Sequence, residues 1–402
     1  MLSENSQRAV LADIYAIGED WREGGFGLYF HWPFCEAKCP YCDFNSHVAG
    51  AIDQGRWRAA FRSEIARVAA LTPGRVVNSV FFGGGTPSLM EAETVAAVLQ
   101  AVQAAWPLAN DLEVTLEANP RSVEAARFKA YRDAGVNRVS MGMQALNDAD
   151  LRRLGRLHSV QEGIAAFETA QAVFDRVSFD LIYARQDQSL KAWESELSQA
   201  LGMAADHLSL YQLTIEAGTA FGARAAGGRL HGLPDDDVSA DMYMITQDIC
   251  EGFGFSGYET SNHAAPGAES RHNLIYWRSG DYAGIGPGAH GRLTLPGRGR
   301  IATETPLSPD AWLARVEKTG DGTSRESPLP PEDQAMEYLM MALRLTEGCD
   351  LERYARLNGA ALSPEKLASL EEMALVQRDG QRLRTTVQGR IVLNAILREL
   401  LA

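Results

Sequence analysis

At 402 residues, 46% of them hydrophobic, the chain is long enough to bury one barrel-sized core and a smaller one beside it. Its 52 acidic against 38 basic residues give a formal net charge of −14, which argues against the clustered positive surface that non-specific nucleic-acid binding needs. Of its five cysteines, Cys35, Cys39 and Cys42 crowd into one short run, which excludes a disulfide framework and suits a metal site in a reducing compartment.

Residues 1–27 spread Glu4, Arg8, Asp13, Glu19, Asp20, Arg22 and Glu23 among short apolar stretches and read as an N-terminal arm, without the unbroken apolar run of a secretory signal. No later stretch reaches the roughly 18 apolar residues of a membrane span, so a cytoplasmic protein is expected. From Leu28 onward, β-rich runs over 28–32, 79–82, 112–117, 138–143, 177–183 and 208–213 alternate with helical patterns such as 56–71, 92–105, 122–134 and 190–204. That alternation predicts βα units on a parallel sheet, and six such strands make an open, partial (β/α)6 barrel of the α/β class spanning 28–293. Pro and Gly accumulate over 294–331, which reads as a linker. Beyond it, 332–402 carries helical patterns over 333–345, 351–357 and 363–373, a hairpin turn at Asp379-Gly380 and a last helix over 387–400. This is the pattern of a small α+β, winged-helix-like domain. Its slight excess of acids favours a packing or lid role over DNA reading.

Cysteine thiolates hold a 4Fe–4S cluster four at a time, so the three in Cys-x3-Cys-x2-Cys leave one iron with an open position. The competing reading is a zinc site completed by His31 or His47. Polar or glycine residues stand at successive strand ends: Gly83-Gly84-Gly85-Thr86, then Glu117, Gln144 and Asp180. In βα barrels the ligand site is built at that face. The glycines either admit close backbone approach by a ligand or make a tight turn. Glu117 suits sugar hydroxyls, while Gln144, Arg156 and Asp180 suit a carboxylate, an amine or a second copy of the ligand.

The runs HWPFCEAKCPYCDF, VFFGGGTPS, LEANP, VSMGMQALNDADLRRLGR, FDLIYA and RHNLIYW, with the C-terminal domain behind them, resemble the HemN/HemW group of radical S-adenosylmethionine (SAM) proteins. The resemblance implies a 4Fe–4S cluster on Cys35, Cys39 and Cys42, its free iron chelated by the amine and carboxylate of SAM, and reductive cleavage to a 5′-deoxyadenosyl radical. It places Tyr29, Gly84, Gly85, Thr86 and Glu117 around the first SAM. Tyr41, Gln144, Arg156 and Asp180 match positions that contact a second SAM in the coproporphyrinogen dehydrogenase branch.

Phe44 departs from that dehydrogenase branch, which resembles this chain but carries a further Cys there. The HNxxYW run His272-Asn273-Leu274-Ile275-Tyr276-Trp277 resembles the heme-chaperone branch instead. An imidazole is a common axial ligand of heme iron, and Tyr and Trp faces can cover a porphyrin. Alternatively His272 satisfies a loop carbonyl while Tyr276 and Trp277 pack the barrel edge; His263 and His290 are rival ligands. The expected function is a heme chaperone with cluster, SAM and heme, heme donor and acceptor proteins as partners, a peripheral membrane hemoprotein among the acceptors, and a cluster-dependent homodimer. The alternative is a radical SAM enzyme, either the coproporphyrinogen III dehydrogenase or a methyltransferase.

Overall fold

The computed structural model describes residues 18–121, 125–203 and 206–402. Residues 1–17 of the expected arm, and positions 122–124 and 204–205 at the edges of two expected helices, lie outside the described residues.

The six anticipated strands form as β1 (Phe26–Trp32), β2 (Val77–Gly84), β3 (Leu108–Ala118), β4 (Arg138–Gln144), β5 (Arg176–Tyr183) and β6 (His207–Gln212). Each lies parallel to the next. Strand side chains alternate between faces. Leu28, Phe30, Val80, Phe82, Val114, Leu116, Val139, Phe179 and Leu208 accordingly share one face and the main core. That face is covered by α1 (Gln54–Leu71), α2 (Ala92–Ala105), α3 (Phe128–Ala134), α4 (Val160–Val173) and α5 (Leu190–Leu201). The other face lines the barrel with Ser79, Thr115, Arg138, Ser178 and Ser209, all buried. Some of these interior groups bond one another, Arg138 Nη2 donating to Ser178 Oγ at 2.8 Å and Ser178 Oγ to Ser140 Oγ at 3.0 Å, while Arg138 Nε has no partner among the described residues.

The sheet grows beyond this on both edges. After α6 (Asp236–Gly252), β8 (Asn262–Ala264) adds antiparallel to β6 and the short β7 (Ser256–Gly257) antiparallel to β8. Following α7 (Arg271–Trp277), β9 (Asp281–Ile285) joins β1 as a further parallel strand. An antiparallel meander of β10 (His290–Leu295), β11 (Gly299–Glu304) and β12 (Arg325–Pro328) completes a 12-stranded order β12-β11-β10-β9-β1-β2-β3-β4-β5-β6-β8-β7.

The meander corrects the linker expected over 294–331. Its glycines and prolines punctuate structured elements: Gly297 and Gly299 take positive φ (71° and 69°) in the β10–β11 turn, and Pro309 opens α8 (Pro309–Thr319), where a missing N–H costs nothing. Trp312 of α8 is fully buried and stacks on Trp57 of α1, with ring centroids 5.3 Å apart. Asp281 binds Arg75 at 2.6 Å and Arg300 at 2.9 Å, in a buried ion cluster tying β9 to β11.

The last unit comprises α9 (Pro331–Ala342), α10 (Leu351–Asn358), α11 (Pro364–Glu372) and a small sheet of Cys349–Asp350, Val376–Asp379 and Arg382–Thr385. The Asp379-Gly380 turn appears as anticipated, with Gly380 at φ 58°. The terminal helix is broken at Val392 into Val387–Ile391 and Leu393–Leu401 rather than continuous. Residues such as Leu339, Leu383 and Ile396 give this unit its own core. Leu345 joins it to the barrel through Tyr258 and Ala264, with Leu274 and Trp277 packed alongside.

Candidate functional site

The cysteine loop leaves the C-terminal end of β1 at Pro33. Its base is closed where Phe34–Cys35 pairs in parallel with His47–Val48. Asn45 Nδ2 donates to the carbonyls of Pro287 (3.0 Å) and Leu307 (2.9 Å), anchoring the loop to the segments that flank β10 and β11. Cys35, Cys39 and Cys42 are all free and half-buried. Thr86 Oγ1 donates to Cys35 Sγ at 3.4 Å, and Arg156 Nη1 to Cys39 Sγ at 3.6 Å. A Cβ on Gly85 would stand 2.7 Å from Phe34 O and 3.0 Å from Cys35 Sγ, so only glycine lets the end of β2 approach the thiols. Burial pushes the Cys35 and Cys42 thiols up, with the Thr86 hydroxyl opposing it at Cys35. A bound metal would deprotonate them.

The two imidazoles considered for zinc are engaged elsewhere. His31 Nε2 lies 2.9 Å from Asn45 O, which can only accept, so Nδ1 accepts from Tyr29 OH at 3.0 Å. His47 Nε2 meets Asn45 Oδ1 at 3.1 Å. Three thiols facing one open cavity fit an iron–sulfur cluster better than a closed tetrahedral zinc site.

A cavity of about 430 Å³ opens beside the thiols. Tyr41, Gly84, Gly85, Thr86, Glu117, Gln144, Arg156 and Asp180 all line it. The register of β4 shifts between Met141 and Gln144, and Gln144 takes a left-handed φ of 67°. Such irregularities redirect side chains at strand ends, here toward the cavity. Arg156 Nη2 donates to Asn119 Oδ1 at 2.7 Å and to Gly142 O at 2.9 Å, while its buried Nε has no partner. An unspent donor in a site with three thiols suits an anionic ligand group.

Burial, reinforced by Asp180, raises Glu117 to about 8; burial raises Asp180 to about 6 against the pull of Ser209 and Arg138. Both carboxyls thus titrate near neutrality. Sequence reasoning missed two neighbours. Asn119 bridges Arg156 to Thr86 Oγ1 (3.2 Å), and its signal was its place directly after the β3 end within LEANP. His158, held near 4 by burial and by Arg156, is a neutral wall residue with no sequence signal.

A second cavity of about 470 Å³ adjoins the first, and Phe44, Gly84 and Glu117 line both. Tyr29, anticipated around the first ligand, lies on this second cavity instead. So do Tyr276 and Trp277 of the HNLIYW run, together with His290 and with Glu337 and Met341 from α9. His272 and Asn273 do not reach it. His272 is 2% exposed, with Nδ1 2.7 Å from Ser79 Oγ and Nε2 2.7 Å from Tyr276 OH. Asn273 Nδ2 points to Tyr258 OH at 3.4 Å.

Comparison with known proteins places this geometry. Residues 29–195 match the radical SAM superfamily and 329–392 the HemN C-terminal domain. Over 380 residues the chain is 37% identical to heme chaperone HemW of Escherichia coli, covering 93% of this chain and 98% of that protein. The chain belongs to the HemW family of radical SAM proteins. Mitochondrial radical S-adenosyl methionine domain-containing protein 1 of Bos taurus is 40% identical over 388 residues, 93% of this chain and 87% of that one. The solved structure of E. coli coproporphyrinogen III oxidase HemN superposes with a TM-score of 0.78 at 21% identity, over 96% of this chain and 93% of that one, and shows the shared fold. A HemW-family chain on a radical SAM fold implies a 4Fe–4S cluster and SAM. Among the described residues, no helix is long and apolar enough to cross a membrane.

Proposed function

We propose that this chain is a heme chaperone that binds heme and passes it to acceptor hemoproteins, with Cys35, Cys39 and Cys42 holding a 4Fe–4S cluster and the first cavity taking SAM. The observation that carries the reading is the second cavity. It is lined by the aromatic Tyr276-Trp277 end of the HNLIYW run and stands beside the cluster cavity rather than within it. Its volume lies within the about 300–1,000 Å³ of small-molecule sites. Phe44 at its rim, 61% exposed, supplies an apolar surface where a further thiol would have favoured another metal ligand.

When bound, the cluster and SAM supply one-electron chemistry at the sulfonium. The chain's own part is to orient and to shield. Gly84 and Gly85 let the backbone approach, Thr86 and Arg156 direct hydrogen bonds at the thiols, and Glu117 and Asp180 offer acceptors to sugar hydroxyls or an amine. The reading places the protein in a reducing compartment, the cytoplasm, with a heme donor, an acceptor that includes membrane hemoproteins, and a second copy of the chain as partners.

The test is direct. Anaerobically reconstituted protein is expected to shift the Soret band of hemin and to transfer heme to an apo-hemoprotein, without decarboxylating coproporphyrinogen III. Decarboxylation, or an unshifted hemin spectrum, would defeat the proposal. A second reading, a radical enzyme using two SAM molecules, is favoured by the polar wall of Tyr41, Gln144, Arg156 and Asp180 in the first cavity. It predicts substrate-dependent release of 5′-deoxyadenosine.

A further inference from the structure

The family motif draws attention to His272, yet its position speaks against iron ligation. Its ring stacks on Phe81, with centroids 5.0 Å apart and planes 23° apart, and on Tyr29 at 6.2 Å. Both nitrogens are held by hydroxyls, of buried Ser79 and half-buried Tyr276, each at 2.7 Å. Ligating iron would strip a buried hydrogen bond and move a packed ring, leaving a partner unsatisfied at about 1–3 kcal/mol. His263 is 1% exposed, spends Nε2 on Gln247 Oε1 at 3.2 Å, and lies off the second cavity. His31 reaches that cavity with both nitrogens committed, to Tyr29 and Asn45.

His290 differs in each respect. It is exposed, it lines the cavity, and neither ring nitrogen has a hydrogen bond among the described residues. Its backbone is firmly seated at the start of β10, paired with Glu304 of β11 and packed so closely on Gly284 that no Cβ fits there. Two residues along the same strand, and hence on the same face, Arg292 also lines the cavity. Its guanidinium is paired with Glu337 at 2.8 Å, and Glu337 lines the cavity too, so a propionate there would exchange with that carboxylate. A rigid base, an uncommitted imidazole, aromatic walls and a cation are the parts of a site for an iron porphyrin with acidic side chains.

We propose that His290, rather than His272, is the axial ligand to heme iron, with the macrocycle in the second cavity against Tyr276 and Trp277 and a propionate near Arg292. The assignment rests on the heme-chaperone reading and deepens it.

The experiment titrates hemin into reconstituted holoprotein carrying His290→Ala, His290→Gly or His272→Ala, recording the Soret position, the spin state and the affinity. Cluster absorbance and melting midpoint serve as fold controls, which an exposed residue leaves unchanged. His290→Ala is expected to lose the Soret position and spin state of the imidazole-ligated iron and to bind about tenfold more weakly or worse. In His290→Gly, added imidazole restores the wild-type Soret position and spin state, a rescue that a purely structural role would not show. His272→Ala keeps the ligation signature. An unchanged spectrum and affinity in His290→Ala overturn the assignment while leaving the chaperone reading intact. Wild-type protein that binds no hemin overturns both.

Discussion

Glu117 carries the sharpest consequence of burying charge at this site. Its unfolded carboxyl releases a proton near 4.5, whereas the folded one, pushed up to about 8 by burial and by Asp180, keeps it. Between those values the folded chain binds more protons than the unfolded chain. Stability from this group is therefore full below about pH 4.5 and is lost as pH rises through about 8. Ligand-free Glu117→Gln should flatten the stability profile across that window and exceed wild type by about 1 kcal/mol or more at pH 9 in urea unfolding. Equal slopes for the two proteins would contradict the assignment. Gln144 sits under a different constraint, a left-handed backbone in a non-glycine residue. Gln144→Val should destabilise by about 1–3 kcal/mol, because a β-branched side chain resists that conformation, whereas Gln144→Gly should retain the fold. Glu117 and Gln144 were legible as strand-end polar residues, since the period of two fixes which side chains reach the mouth. What stayed hidden was Gln144's bulge and the second-cavity position of Tyr29, because both depend on how neighbouring strands register.

At the scale of elements, the alternation of β-branched runs with three-and-four apolar spacing makes the parallel strands readable from the sequence. The β10–β12 meander was not readable. Its strands are short, its prolines and glycines look like those of a flexible connector, and the partner that justifies them, β9, lies across a turn. Two buried contacts show that the segment is built into the fold. Trp312→Ala should cost about 3–5 kcal/mol, for it empties a fully buried site stacked on Trp57. Asp281→Ala should cost a similar about 3–5 kcal/mol by leaving Arg75 and Arg300 buried without their carboxylate. Thermal melts of either variant within 1–2 °C of wild type would show that the meander is dispensable to stability. The HNLIYW run illustrates a related limit. Sequence spacing identifies the residues, yet only the turn of α7 decides that Tyr276 and Trp277 reach the cavity while His272 turns inward to Ser79.

For the whole molecule, the three half-buried thiols lie apart from the core that holds the fold. None of the three thiols belongs to the apolar cluster beneath the sheet, which is dominated by residues such as Phe30, Val80 and Phe179. A triple Cys35→Ala, Cys39→Ala, Cys42→Ala variant should lose the brown colour and its iron while keeping its far-ultraviolet circular dichroism, and iron analysis with the spectrum decides it.

The shared partition of Phe44, Gly84 and Glu117 has a thermodynamic corollary. Two occupants that lean on one wall influence each other's retention by the same factor in either direction, whatever the sign. If nucleotide bound on one side loosens the porphyrin on the other, porphyrin must loosen nucleotide equally, so that loading and discharge become two readings of a single balance.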